Sequence, residues 1–136
     1  MKKFLTLLLA VLCAFCFVAC GEKSYQELDL YYFGDYYSGN IIKAEEKYLN
    51  EYVCSQGYVS GIKSDKFWLY ADEEQDLNKY SHFVCFFDKS NKDLIKSILS
   101  LKNGDKIKVY GKIIKIEDSY PTDNLHMQLD KIEVII

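Results

Sequence analysis

The sequence predicts a mainly β domain: a small five-stranded barrel with one helix ahead of it and another between its third and fourth strands. Three observations carry that expectation. Short runs alternating apolar and polar residues recur along the chain, most regularly in Lys106-Ile-Lys-Val-Tyr-Gly-Lys-Ile113, which is the period of a strand with one wet face. Helical spacing of apolar residues is clear in just two segments, those beginning near Asn40 and Ser90. Glycines stand inside the strand-like runs at Gly57, Gly61 and Gly111, where a strand must bend or pass close to a neighbour.

The chain opens with MKKFLTLLLAVLCAFCFVAC. Lys2 and Lys3 precede an apolar run from Phe4 to Val18, the pattern of an export signal. The run is too short for a membrane-crossing helix, which needs about 20 residues. Phe17-Val18-Ala19-Cys20 resembles the ending of a bacterial lipoprotein signal, with Phe17 where Leu is usual. That resemblance implies removal of residues 1–19 and lipidation of Cys20 by a diacylglycerol thioether and an amide-linked acyl chain, enough for stable anchoring. The expected location is the outside of a cell membrane or an outer membrane, and the expected first partner is the membrane itself.

Lys2 and Lys3 belong to the leader and no acid does, so 17 basic and 20 acidic residues become 15 against 20 beyond residue 19, net −5. Every basic residue is Lys. Arg supplies the planar fork that reads phosphate and guanine, so this acidic, Arg-free chain is a poor nucleic-acid reader. About 117 residues remain for one core. Of the five cysteines, Cys13 and Cys16 leave with the leader and Cys20 takes the lipid, so Cys54 and Cys85 alone can pair. An oxidising compartment permits that disulfide, and buried free thiols are the alternative. Spaced Cys and His ligands for a metal are missing.

Residues 20–38 read as the lipidated cysteine and a tyrosine-rich tether, with Tyr25, Tyr31, Tyr32, Phe33, Tyr36 and Tyr37. Ser24-x-x-Glu27 has capping-box spacing for a short helix near 25–32, and the aromatics either pack on the domain or meet the membrane interface, with packing preferred. Asn40 caps a helix whose Ile41, Ala44 and Tyr48 share one face. Residues 52–62 are a first strand with Val53, Ser55, Gly57 and Val59 on one side. Lys66–Tyr70 is the second. The acidic loop from Ala71 to Lys79 lacks the spacing of a calcium loop. His82–Phe87 is the third strand. Ser90 caps a helix with the stripe Leu94, Ile95, Ile98 and Leu101, ended by Asn103-Gly104. Lys106–Ile113 is the fourth strand, and residues 125–135 the fifth. Five short strands leave exposed edges unless the sheet closes. Closure with a helix plugging one end is the OB-fold, expected over residues 39–136.

Several spaced residues resemble the tRNA-anti-like family of bacterial OB-fold domains. They are Asn40, Ala44 and Tyr48 on the leading helix, then Gly57, Val59 and Ile62 in the first strand. Val84, Cys85 and Phe87 follow in the third, then Leu101, Gly104, Asp105, Ile107, Val109 and Gly111 into the fourth, and Leu129 and Ile132 in the last. The likeness covers about residues 38–135. A Cys that members often carry near Asp130-Lys131-Ile132 is missing here. The family takes its name from a likeness to anticodon-binding OB domains and has no agreed catalytic residues, so the resemblance implies none here, and the matched positions specify fold more than function.

His82 and His126 are the only histidines, and neither sits in a triad, elbow, Walker or HExxH pattern. No catalytic residue, metal or cofactor is expected. The OB face of strands two and three usually takes ligands by stacking, which singles out Phe67 and Tyr70, with Trp68 on the opposite face, and adds Tyr58 and Tyr110. Aromatics without Arg suit a glycan, a peptide or an envelope protein better than phosphate. The expectation is a membrane-anchored, non-enzymatic lipoprotein presenting an OB-fold interaction surface; the alternative is an oligonucleotide-binding OB-fold protein.

Overall fold

The computed structural model describes residues 23–37, 39–76, 79–118 and 122–135. The leader, Cys20 and the start of the expected tether lie outside the described residues. Among the described residues no helix is long and apolar enough to cross a membrane.

The elements in chain order are β1 (Gln26–Glu27), α1 (Leu30–Tyr37), α2 (Ile41–Tyr48), β2 (Tyr52–Ser60), β3 (Lys66–Tyr70), β4 (His82–Phe86), α3 (Lys92–Leu99), β5 (Lys106–Glu117) and β6 (Asn124–Val134). The sheet order is β1-β2-β3-β4-β6-β5, and β2 also pairs with β5. That last pairing closes five strands into a ring, and β1 is a two-residue parallel addition to β2. Within the ring β4 and β6 run parallel and the other neighbours antiparallel. This is the OB-fold topology, so the expected fold class holds, with β1 as a sixth, very short strand.

Closure depends on two glycines. A Cβ on Gly57 would lie 2.5 Å from the Tyr70 carbonyl oxygen, and one on Gly111 would press on the Gln128 carbonyl oxygen and the Met127 side chain. Each lets one strand cross tightly over the next. β5 carries register shifts beside Gly111 and between Ile113 and Lys115. The second shift leaves Ile114, 44% exposed, and Lys115 both outward and returns Ile116 to the core beside Ile113. β5 thus runs to Glu117 although its strict alternation stops at Ile113.

The core holds Val53, Val59, Phe67, Leu69, Phe83, Cys85, Ile107, Val109, Ile113, Leu125 and Met127, all fully buried. α3 closes one end with Leu94 and Ile98. Its cap is Asn91, whose Oδ1 accepts from the Leu94 N–H at 3.2 Å, one residue after the expected Ser90. Asn40 caps α2 as expected, accepting from Lys43 N–H at 3.2 Å, and α2 buries Ala44 and Tyr48.

Of the segment read as a tether, residues 23–37 are folded against the barrel. Leu28, Leu30, Phe33 and Tyr37 join the core, because Phe33, Tyr37 and Tyr48 form a packed aromatic group with ring centres 5.0–6.0 Å apart. The helix begins later than Ser24-x-x-Glu27 suggests. Asp29 makes the first turn, accepting from Tyr31 N–H at 2.9 Å, while Gln26 and Glu27 are drawn onto the β2 edge. Cys54 and Cys85 are free and buried. Cys85 lies inside the barrel and Cys54 on the outer side of β2; burial raises the pKa of both thiols, and far more for the fully enclosed Cys85.

Candidate ligand face

Strand register decides what the barrel shows to solvent. On β3, Phe67 and Leu69 point into the core, so Lys66, Trp68 and Tyr70 point out. The pairings then set three rows across the outer face of β3, β4 and β6: Lys66, Phe86 and Gln128; Trp68, Val84 and His126; Tyr70, His82 and Asn124. Each row combines an aromatic side chain with one that can hydrogen-bond, which is the mixture of apolar platform and placed polar groups that binding sites use.

The grid is held by ring packing. Phe86 stacks on His126 with centroids 5.5 Å apart and planes 27° off parallel, and Tyr70 faces His82 at 5.5 Å and 33°. Lys66 Nζ sits 5.5 Å over the Trp68 ring and 5.6 Å from the Phe86 ring, and Lys63 adds a cation 6.0 Å from Trp68. The Trp68 ring is backed by Gly61, where an added Cβ would stand 2.9 Å from the indole.

At the edge, His126 Nε2 lies 3.2 Å from Glu117 Oε2, and Lys115 Nζ donates to Glu117 Oε1 at 2.7 Å. Lys115 first, then His126, hold the Glu117 carboxyl below its ordinary pKa. His82 is 8% exposed. Burial, then the neighbouring His126, lowers its proton affinity below the ordinary value of 6.5, so the ring is neutral near pH 7. Its Nδ1 and the adjacent Ser81 hydroxyl are buried without a hydrogen-bond partner among the described residues. Such orphaned groups cost stability unless something outside the chain satisfies them.

Two of the sequence-selected residues, Trp68 and Tyr70, lie together on this face. Tyr58 neighbours Tyr70 across the β2–β3 pairing and also borders a cleft of about 460 Å³ between Glu27, Lys106 and Lys108. Tyr110 lies elsewhere, on the β2–β5 seam, donating from Oη to Glu133 at 3.0 Å. Phe67 is a correction: it is fully buried in the core. Residues of opposite parity point to opposite faces of a strand, so Phe67 and Tyr70 cannot share one, whereas Trp68 and Tyr70 do. Sequence reasoning missed Phe86, His82, His126 and Lys66 as members of the grid. The parity rule places Phe86 on this face only once its pairing with Lys66 is known. Among the described residues no three His, Cys, Asp or Glu side chains converge to hold a metal.

Several solved structures resemble the chain at low identity. A Leishmania major Friedlin protein described as an aspartyl-tRNA synthetase aligns over 85% of this chain, with 13% identity and a TM-score of 0.49; the chain spans 21% of that protein. A protein from Klebsiella pneumoniae described as a nucleic acid-binding lipoprotein aligns over 82% of this chain and 92% of its own length, with 22% identity and a TM-score of 0.48. An OBody bound to hen egg-white lysozyme aligns over 66% of this chain and 83% of its own, with 15% identity and a TM-score of 0.45. No curated protein matches the chain. The model of the tRNA_anti-like family matches residues 19–124, well over half of the sequence. The chain therefore belongs to the tRNA_anti-like family of OB-fold domains.

Proposed function

We propose that this protein is a lipid-anchored, non-enzymatic binding protein of the cell envelope, and that its ligand lies across the β3–β4–β6 face. The single observation carrying this reading is the three-row grid, in which Trp68, Tyr70 and Phe86 give stacking surfaces and Asn124, His126 and Gln128 stand beside them. Flat rings flanked by hydrogen-bonding groups suit the alternating apolar and hydroxyl faces of an oligosaccharide, and OB-fold barrels accept such chains on this side. The anchor rests on the sequence ending Phe17-Val18-Ala19-Cys20. Metabolic labelling with an alkyne fatty acid tests it: label on the native protein and none on Cys20→Ala supports the anchor.

Titration of Trp68 emission with a soluble chitin oligosaccharide tests the ligand class. The expected result is a saturable change, with Phe86→Ala weakening affinity about tenfold, or ~1.4 kcal/mol. A second reading, single-stranded nucleic acid, is favoured by the two lysines over the Trp68 ring, since cations beside stacking rings track a phosphate backbone. Oligothymidine at low salt separates the readings. Binding that weakens steeply with added salt marks phosphate contact, and no response to either probe contradicts the proposed face.

A further inference from the structure

The geometry points to a second working surface: the β2–β5 seam, carrying Lys23, Tyr25, Tyr52, Tyr110 and Lys131, rests on the phospholipid headgroups of the membrane that holds the anchor. This rests on the lipid-anchor reading above and adds to it an orientation. Tyr25 lies edge-on to Tyr52 at 6.0 Å and to Tyr110 at 5.2 Å. Lys131 Nζ stands 4.4 Å over the Tyr110 ring and Lys23 Nζ 4.6 Å over Tyr52. Tyrosine is a residue of the membrane–water boundary, apolar in body and polar at the tip, and lysines around it meet anionic headgroups.

The occupant is identified by where the chain enters the domain. Lys23 is the first described residue, and it is bound on the seam, 3.3 Å from Asp130. Three residue steps separate it from Cys20, a reach of at most about 11 Å. The nine residues of β2 alone extend roughly 30 Å. A leash that short cannot hold the domain clear of the surface or let it turn over, so the side that receives the leash is the side that faces the lipid.

In the five-strand ring, β4 lies opposite the β2–β5 pairing, and β6, which carries Lys131, borders both faces. Setting the seam on the bilayer therefore points Trp68 and Phe86 outward, toward whatever the ligand face takes.

The full-length lipidated protein, reconstituted in vesicles of phosphatidylethanolamine and phosphatidylglycerol with a headgroup-linked quencher, gives the test. Trp68 is the sole tryptophan, so the native protein reports from the far side. A Trp68→Phe/Tyr110→Trp double variant reports from the seam. The expected result is loss of about half the seam emission and little change at Trp68, the depth at which interfacial aromatics sit. The native chain gives an independent reading: a membrane-impermeant amine reagent should label Lys131 less on attached than on detergent-released protein, with Lys66 unchanged. Attached protein with Trp68 quenched, or with Lys131 labelled equally in both states, overturns the orientation alone. Protein that never co-floats with the vesicles overturns the anchor, and the orientation with it.

Discussion

Two outer faces of one barrel carry aromatic side chains, and they are finished differently. On the β2–β5 seam two tyrosine hydroxyls are engaged: Tyr25 donates to Asp130 at 2.9 Å and Tyr110 to Glu133 at 3.0 Å. Burial, followed by the Asp130 carboxylate, pushes the Tyr25 phenol up to about 12. On the β3–β4–β6 face the large rings are Trp68, Tyr70 and Phe86, and the buried His82 Nδ1 has no partner among the described residues. Aromatic content alone therefore does not mark a ligand site; what matters is whether the polar groups around the rings already have partners. Tyr25 and Tyr110 have partners within the chain, whereas His82 on the other face keeps a nitrogen unpartnered among the described residues.

The sharpest contrast comes from adjacent residues. Phe67→Ala empties a fully buried core position and should cost about 3–5 kcal/mol or abolish folding. Trp68→Ala, one residue on at a half-buried position, should cost about 1–2 kcal/mol of stability yet remove most of the affinity for a stacking ligand. Denaturant midpoints for the pair, with binding measured on Trp68→Ala by calorimetry, check both halves. Equal losses of stability would erase the distinction between core and face.

Ring closure is the next largest effect. Gly111→Ala forces a methyl group against the Gln128 carbonyl and Met127, and overpacking of that kind costs about 1–3 kcal/mol. Both faces should suffer equally, visible as a lower thermal midpoint with the binding site weakened only through unfolding. Tyr25→Phe is smaller still: it deletes the hydroxyl that Asp130 accepts from and should cost about 1 kcal/mol while leaving ligand affinity unchanged.

The smallest effect is a pH dependence. His82 has a lower proton affinity folded than unfolded, so acid protonates the unfolded chain first. Its contribution to stability is whole above about pH 6.5 and declines as the pH falls through that value. Thermal midpoints measured from pH 7.5 down to about 5 should show a steeper acid decline in the native protein than in His82→Gln. A ligand hydroxyl that donates to the neutral His82 ring should steepen the decline, and one that accepts from it should flatten it.

Much of this was legible in the sequence, and the gaps have physical causes. The alternation of Lys106–Ile113 and the stripe Leu94, Ile98 located β5 and α3 because their buried and wet faces differ in polarity. His82-Phe-Val-Cys-Phe-Phe87 is apolar on both faces, so its polarity does not reveal that Phe86 faces out while Phe83 and Cys85 face in. α1 combines buried Leu30 and Phe33 with exposed tyrosines and Gly34, so its composition resembles a linker until α2 is present to pack against. β1 has two residues, too few for any period. The pairing of Phe67 with Tyr70 failed for a simpler reason, strand parity, and the same rule recovers Trp68 with Tyr70.

The most direct test of the central claim is a chemical-shift map of the isotope-labelled protein titrated with the chitin oligosaccharide. Shifts confined to Trp68, Tyr70, Val84, Phe86 and His126, with Tyr25, Tyr52 and Tyr110 unmoved, are the predicted result. Shifts centred on the seam, or spread evenly over both faces, would contradict it.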